Sequence, residues 1–251
     1  MTLPPIRRQV VVGVEPDDAY RAWIDDLGAW WPLERFSVFG PPTTVAIDGD
    51  RIVETSATGE QAVWGTLTRA EPGRRLDFTW HPGRDADDRG RVEVGFVPLG
   101  DGLTLVTLEH HGWEAYEDPA AAREEYGNGW PAVLARAAQH TPLPAPAPGS
   151  SIWLVLDHTP GGRAGDVPFF RHPLFAEHRA FLASAHDAGV LVAAGPLADD
   201  PGHGQTVLRV PAADVARWVA AAEADGSVAG DLFVLRVRPW HVQLASARAV
   251  G

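Results

Sequence analysis

A proline-rich stretch near the middle of the chain divides it into two parts. Residues 141–150 read T-P-L-P-A-P-A-P-G-S, and four prolines alternating with small residues are incompatible with a helix or a central strand. Such a segment favours an extended spacer of about 3 Å per residue. The flanking segments, 1–140 and 151–251, are each long enough to bury a core. The sequence therefore predicts two domains joined by a linker at 141–150.

Composition removes several classes of chemistry. The 251 residues include no cysteine, and all 21 basic residues are arginines. Disulfides, thiolate metal sites, cysteine nucleophiles and lysine Schiff bases are therefore excluded. The net charge of −12 argues against a nucleic-acid or membrane partner, and no apolar run reaches the length of a transmembrane helix. An N-terminus without the apolar core of a signal peptide predicts a cytoplasmic protein.

The first part shows the pattern of an antiparallel sheet closed by a long helix. β-branched residues at 6–14 predict a strand, and Pro16 opens an amphipathic helix that Gly28 ends. Short alternating runs predict a meander of strands at 43–48, 51–56, 62–70, 76–80, 91–97 and 103–110. The apolar stripe of 120–139 predicts a closing helix that Pro131 and the glycines at 127 and 129 bend or restart. A sheet curled around this helix leaves a cavity between them.

The ordered series of tryptophan-containing motifs in this part is similar to that of a known superfamily. The motifs are Trp30-Trp31-Pro32, Glu54, Gly59-Glu60, Trp64-Gly65, Glu71-Pro72, Phe78-Thr79-Trp80, Leu108-Glu109-His110, Gly112-Trp113 and Gly129-Trp130. They resemble the START-like, or SRPBCC, superfamily over nearly all of residues 6–139. Within it they resemble the branch named after an activator of the Hsp90 ATPase. The resemblance implies a helix-grip fold with a hydrophobic ligand cavity.

Aromatic walls with a few convergent polar groups suit a small hydrophobic or aromatic molecule, and no cofactor is required. The residues that we expect to bind such a ligand are Trp31, Glu54, Trp64, Trp80, Glu109, His110, Trp113 and Trp130. The alternative for a tryptophan is a core filler, and for a carboxylate a water-facing residue or a partner of a nearby arginine. Cochaperone activity, which the family name suggests, is a less favoured alternative. The same superfamily contains cyclases, dehydratases, lipid carriers and hormone receptors, so the resemblance alone does not assign an activity.

The second part alternates strands and helices. The apolar run 152–156 predicts a strand, and helix signals extend from His172 to Gly189. Strands at 190–194 and 205–210, a helix from Pro211 and a strand at 232–237 complete the order βαββαβ. This order predicts a ferredoxin-like domain, so the whole chain is predicted to be α+β. Because such a sheet leaves one face uncovered, we expect a homodimer formed through this domain.

This part resembles the YciI-like family of dimeric α+β barrels over about residues 151–242. The resemblance is carried by the opening strand, Glu177-His178-Arg179, the run 189–196, Asp225 and the closing Val237-Arg238-Pro239-Trp240. It implies a cleft with a His–Asp pair as acid/base machinery, here His178 and Asp225. The chain departs from the family after Asp225, where Gly226-Ser227 replaces Pro and an aromatic residue.

A His–carboxylate pair is also chemically reasonable by itself. The carboxylate fixes the imidazole tautomer and raises the basicity of the other nitrogen, which suits isomerisation, dehydration, elimination or cyclisation. We expect Arg171 or Arg179 to bind a substrate carboxylate, and Gly195-Pro196 to approach the substrate with its backbone. A lyase- or isomerase-type enzyme is the leading hypothesis. A non-catalytic or stress-related ligand-binding protein is the alternative.

Two other interpretations of these residues stay open. His178 is also compatible with a core histidine, and Asp225 with a solvated turn residue. Asp157-His158, at the end of the first strand of this part, is a second acid/base candidate. The spacings of His158, His172, His178, His186 and His203 match no familiar metal site, so no metal is predicted.

Overall fold

The computed structural model describes residues 3–85, 90–143, 149–165, 168–200 and 202–245. The chain divides into two compact units, Met1–Pro144 and Ala145–Gly251. Residues 144–148 of the predicted linker lie outside the described residues. Within the described ranges, no helix is long and apolar enough to cross a membrane.

The first unit is built on a seven-stranded antiparallel sheet with the order β1-β7-β6-β5-β4-β3-β2. The strands are β1 (Ile6–Val12), β2 (Thr43–Asp48), β3 (Arg51–Ser56), β4 (Gln61–Glu71), β5 (Arg75–Trp80), β6 (Gly90–Gly100) and β7 (Leu103–His111). The helices are α1 (Pro16–Ile24), α2 (Leu27–Trp30) and α3 (Pro119–His140). The sheet is a meander except that β1 pairs with the last strand, β7.

The long helix α3 closes the curled sheet. Asp118 caps its N-terminus by accepting hydrogen bonds from the backbone N–H groups of Ala120 and Ala121 at 3.1 and 3.0 Å. One face of the helix is buried, through Ala122, Trp130, Val133, Leu134 and Ala137. The predicted curled antiparallel sheet with a closing helix is confirmed.

Of the two predicted alternatives for α3, a bend or a restart, the restart was wrong, because the helix is continuous from Pro119 to His140 with Pro131 inside it. Pro131 has no N–H, so the carbonyl of Gly127 loses its usual partner within the helix. The Nη2 group of Arg8 in β1 donates to that carbonyl at 3.4 Å. A donor from the sheet thus takes the place of the missing helical one, and the helix continues.

The second unit contains a four-stranded antiparallel sheet with the order β11-β8-β10-β9. Its strands are β8 (Ser151–Pro160), β9 (Leu191–Pro196), β10 (Gly204–Pro211) and β11 (Phe233–Pro239). Its helices are α4 (Phe175–Asp187), α5 (Val215–Glu223) and the short α6 (Gly226–Ala229). Alternation in the strands places Leu154, Leu156, Leu208 and Leu235 in the core with no exposed surface. Helix α4 begins three residues later than expected, after a 3₁₀ turn at Phe169–Arg171.

Candidate functional site

A cavity of about 420 Å³ lies between α3 and the sheet of the first unit. Trp31, Trp64, Trp80 and Trp130 line it, and they come from the end of α2, from β4, from β5 and from α3. The ring of Trp31 lies 5.2 Å from that of Trp64, 5.6 Å from that of Trp80 and 6.2 Å from that of Trp130. Four indoles from four elements therefore surround one space.

The close approach of β4 and β5 depends on Gly65. A Cβ atom at this position would lie 1.8 Å from the carbonyl oxygen of Thr79, so no other residue fits without a backbone shift. This contact brings the rings of Trp64 and Trp80 to 5.8 Å. The glycine after Trp64 is thus needed for the geometry of this aromatic wall.

Glu54 does not line the cavity but holds the segment that walls it. Its carboxylate has no exposed surface and accepts hydrogen bonds from Ser37 Oγ, Val38 N (2.8 Å), Phe39 N (3.4 Å), Thr43 Oγ1 (2.9 Å) and Trp64 Nε1 (2.9 Å). Burial raises the pKa of Glu54, but the hydrogen bonds from Ser37, the backbone and Thr43 bring it below its usual value. The ionised carboxylate therefore accepts most of its hydrogen bonds from residues 37–43 and holds that loop in place.

Glu109, His110 and Trp113 also lie outside the lining of the cavity. Burial raises the pKa of Glu109, but the hydrogen bond from His111 and the charge of Arg7, 3.1 Å away, lower it to about 2. Trp113 is buried, and its Nε1 donates to the carbonyl of Pro4 at 3.2 Å. The structure thus brings together four of the eight predicted cavity residues, all tryptophans, and leaves Trp113 and the three polar residues outside the lining.

His110 is a neutral core histidine. It has no exposed surface, and its Nδ1 accepts a hydrogen bond from Trp130 Nε1 at 3.2 Å. Burial, and next the charge of His111, lower the pKa of His110 to about 3. The hydrogen bond to His110 thus holds the indole of Trp130, which lines the cavity.

Sequence reasoning missed the charged residues at the cavity, Arg35, Arg84 and Glu125. Tyr126 also lines the cavity, four residues before Trp130 on α3, so helical periodicity is a signal that could have found it. Arg35 and Arg84 lie in irregular segments, where periodicity carries no information about side-chain direction.

A family model for Activator of Hsp90 ATPase homolog 1-like proteins matches residues 14–140, just over half of the 251-residue chain. The chain belongs to this family. The resemblance of the first part to the Hsp90 ATPase activator branch is thereby confirmed. A search of curated proteins finds no match. The resemblance of the second part to YciI-like proteins stays a prediction.

Several solved structures are similar to this family member. An anthrahydroquino-gamma-pyrone synthase, Txn09, is 26% identical, with 55% of this chain and 97% of that chain covered and a TM-score of 0.40. The self-sacrificing resistance protein CalC from Micromonospora echinospora is 23% identical, with 55% and 94% covered and a TM-score of 0.44. An Hsp90 activator from Plasmodium falciparum is 17% identical, with 43% and 72% covered and a TM-score of 0.33.

A second, smaller pocket of about 160 Å³ lies in the second unit of this Hsp90-activator-like protein. His178 of α4 lines it, and its Nδ1 lies 2.7 Å from Oδ2 of Asp225, the N-cap of α6. The side chains are 9% and 1% exposed. Burial raises the pKa of Asp225, but the hydrogen bonds from His178 and Ser227 bring it below its usual value. The ionised carboxylate therefore keeps a proton on Nδ1 of His178. The other ring nitrogen, Nε2, is then the one that can accept and return a proton.

His158 of β8 lies in the same pocket, with its ring 4.8 Å from that of His178. Burial, and next the charge of His178, lower its pKa to about 4, so it is neutral near pH 7. His158, His178 and Asp225 each place one ligand atom within 4.8 Å of the others, which could hold a metal ion. Each carboxylate oxygen of Asp225 accepts one hydrogen bond, Oδ2 from His178 Nδ1 and Oδ1 from the backbone N–H of Ser227.

The other predicted residues of this part divide into two groups. Gly195 and Pro196 of β9 line the pocket. Arg171 and Arg179 are exposed and do not line it, and the guanidinium of Arg179 lies 5.9 Å from the ring centre of Phe175. Four phenylalanines that sequence reasoning missed also line the pocket: Phe169, Phe170, Phe175 and Phe233.

Proposed function

We propose that the first unit binds a small hydrophobic or aromatic molecule in the cavity between α3 and the sheet. The observation that carries this proposal is the space of about 420 Å³ lined by four tryptophans. A volume of this size with mostly apolar walls and a few polar groups is typical of small-molecule sites. Indole faces offer offset and edge-to-face contacts to a ring system. Membership in the Hsp90-activator-like family supports a fold that encloses such a space.

Filling the cavity tests this proposal. Calorimetric titration with fluorene-2-carboxylate should show saturable binding to the wild-type chain. Val133→Trp places an indole in the cavity lining and should abolish binding, whereas Gln139→Trp, exposed on the same helix, should leave it unchanged. Gly129→Leu, also in the lining, provides a second filling variant in case Val133→Trp does not fold. Equal binding by the folded filling variants would overturn the proposal.

We propose as a second candidate that the second unit catalyses acid–base chemistry of the lyase, isomerase or cyclase type. The supporting observation is the 2.7 Å contact between His178 and Asp225 beside a pocket. In this role Asp225 orients the imidazole, and His178 Nε2 removes a proton from the substrate and returns it. A neutral His158 next to it supplies a further polar contact for the substrate.

Comparison of wild type with His178→Ala tests the catalytic candidate. Each protein is incubated with a metabolite extract, and the masses consumed and formed are compared by untargeted mass spectrometry. We expect a compound that only the wild type converts. Equal conversion by His178→Ala would exclude the proposed base.

We propose further that the second unit is a YciI-like domain that forms a homodimer through its sheet. Strand β9 is an exposed edge, and Val192 in it is 36% exposed. Trp240, 49% exposed, lies with its ring 6.0 Å from that of Trp153 on β8. Light scattering at micromolar concentration should give twice the chain mass, and a monomer would overturn this proposal.

A further inference from the structure

Three buried residues of the second unit bring metal-ligating atoms close together. His158 of β8, His178 of α4 and Asp225, the N-cap of α6, each place one such atom within 4.8 Å of the others. Their exposed fractions are 3%, 7% and 5%. Because they come from three elements that are distant in the sequence, this cluster is a product of the tertiary structure.

The three side chains have different positions relative to the pocket of this unit. His158 and His178 line the pocket, whereas Asp225 does not. Nδ1 of His178 lies 2.7 Å from Oδ2 of Asp225, so this nitrogen faces a residue behind the lining. Nε2 lies on the opposite side of the imidazole ring. It is therefore the nitrogen of His178 that faces the pocket.

Asp225 holds His178 in the form that binds a metal ion. A histidine that binds a metal usually donates its other ring N–H to a carboxylate or a backbone carbonyl, which fixes its tautomer and orientation. Oδ2 of Asp225 accepts the hydrogen bond from Nδ1 of His178, and Oδ1 accepts one from the backbone N–H of Ser227 at 2.9 Å. The carboxylate is thus fixed through both oxygens, and it leaves the lone pair of Nε2 for a ligand in the pocket.

His158 provides a second imidazole at the same place. Its ring centre lies 4.8 Å from that of His178. The ring centre of Phe233 lies 5.7 Å from that of His158 and 5.6 Å from that of His178. The ring centre of Phe175 lies 5.6 Å from that of His178. These aromatic contacts restrict the orientations of both imidazoles and surround them with an apolar shell.

The lining favours a transition-metal ion over Mg²⁺ or Ca²⁺. Among the described residues, neither a carboxylate nor an arginine lines this pocket. Mg²⁺ and Ca²⁺ require oxygen ligands, whereas imidazole nitrogens suit Zn²⁺, Cu²⁺ and Ni²⁺. Zn²⁺ binds imidazole nitrogen at about 2.0–2.1 Å and accepts water in its open positions. Two neighbouring imidazoles in a small pocket match these requirements.

We propose that His158 and His178 bind one divalent transition-metal ion of the zinc class in the pocket of the second unit. Nε2 of His178 and one ring nitrogen of His158 are its ligands, and water or a small ligand completes the coordination. Asp225 is the outer partner that holds the proton on Nδ1 of His178. This inference goes beyond the proposed acid–base function, because the ion and the exchanged proton compete for the same lone pair. A bound ion would therefore suppress that proton transfer.

Calorimetric titration of the full chain with zinc chloride tests the site. We expect one saturable site per chain, for which Mg²⁺ does not compete. Co²⁺, used as a spectroscopic probe, should give the visible absorption bands of a nitrogen-bound ion, and Zn²⁺ should abolish them. His158→Ala and His178→Ala should each remove this site. His203→Ala is the matched control and should bind zinc like the wild type, because His203 lines the same pocket but lies outside the cluster.

Proton–nitrogen correlation NMR of the imidazoles tests the role of Asp225. When the wild type is saturated with Zn²⁺, the Nε2 signal of His178 should shift and its Nδ1–H should be retained. In Asp225→Asn the amide NH₂ group faces Nδ1, so the proton moves to Nε2 and blocks ligation. This variant should bind zinc about 10- to 100-fold more weakly. Transfer of the proton from Nδ1 to Nε2 when zinc binds to the wild type would overturn the role of Asp225.

Other outcomes would overturn the site itself. Unchanged imidazole signals of His158 and His178 at saturating Zn²⁺ would do so, and this measurement on the wild type decides even if the alanine variants do not fold. Zinc binding that persists in both alanine variants and is lost in His203→Ala would also do so. It would assign the ion to His203 and Asp200, whose Nδ1 and Oδ2 atoms lie 2.7 Å apart.

The failure of this inference is distinguishable from the failure of the acid–base function. Absence of zinc binding would overturn the metal site and leave His178 available as a base. Equal conversion of a metabolite by wild type and His178→Ala would exclude the base without any effect on the zinc titration.

Discussion

The indole N–H of Trp64 donates to the carboxylate of Glu54 at 2.9 Å, and Glu54 has no exposed surface. The same carboxylate accepts hydrogen bonds from the backbone N–H of Val38 and the hydroxyl of Thr43. One side chain of β3 therefore connects a tryptophan of the cavity to the segment that forms part of its wall. The carboxylate therefore helps to fix the shape of the cavity although it does not line it.

Replacement of Glu54 by Gln should destabilise the first unit by about 2–4 kcal/mol. The amide NH₂ group would face donors that the carboxylate accepts, and buried hydrogen bonds to a charged group contribute about 1.5–3 kcal/mol each. Urea unfolding followed by tryptophan fluorescence measures the loss. Glu60→Gln, at an exposed position, is the control and should change stability by less than about 0.5 kcal/mol. Equal stability of the two variants would contradict this role of Glu54.

Substitution of the two glycines of α3, Gly127 and Gly129, should have similar effects on stability but different effects on ligand binding. Alanine at either position should stabilise the helix by about 0.5–1 kcal/mol. A Cβ at Gly127 would lie 3.8 Å from Ile6 Cδ1, and one at Gly129 would lie 3.6 Å from the ring of Phe36, both ordinary contacts. Only Gly129 lines the cavity. Gly129→Ala should therefore weaken binding of fluorene-2-carboxylate, while Gly127→Ala should not. The same loss of affinity in both variants would count against the cavity as the binding site.

Stability should fall as the pH is lowered below the ordinary pKa of histidine. The pKa of His110 is lowered to about 3 in the folded state by burial, against 6.5 in the unfolded chain. Between these values only the unfolded state binds the proton, so protonation favours unfolding. His110 alone should lower the free energy of unfolding by about 1.5 kcal/mol from pH 6.5 to pH 5. Urea unfolding at the two pH values measures this change.

His110→Gln provides the comparison for the pH effect. The amide oxygen can still accept a hydrogen bond from Trp130 but does not titrate in this range. The variant should lose less stability than wild type between the two pH values. An unchanged difference would show that other groups cause the pH dependence.

Asp225→Asn should reverse the tautomer of His178. The backbone N–H of Ser227 donates to Oδ1 of Asp225, so the asparagine oxygen would take that position and its NH₂ group would face His178 Nδ1. In wild type the proton lies on Nδ1, and in the variant it should lie on Nε2. Proton–nitrogen correlation NMR of the imidazole distinguishes the two states. The same tautomer in both proteins would remove Asp225 as the orienting group.

Much of the secondary structure could be predicted from local patterns. Strands β2 and β3 occupy the predicted ranges 43–48 and 51–56, because period-two alternation and the glycine turn between them are local signals. The path of α3 past Pro131 could not be predicted, because the donor that replaces the missing N–H is Arg8, far away in the sequence. Likewise, only the folded chain shows that Arg171 and Arg179 do not line the pocket of His178.

The sequence by itself determined the order of the elements in both units and the aromatic character of the first cavity. The tryptophans had to be buried, and the helix and sheet that bury them follow from hydrophobic periodicity. Only the tertiary structure decided which polar groups line the cavity. Glu54 is turned to loop 37–43 and His110 to Trp130, whereas the rings of Trp31, Trp64, Trp80 and Trp130 line the cavity. Those directions depend on hydrogen bonds between residues distant in sequence, which local patterns do not encode.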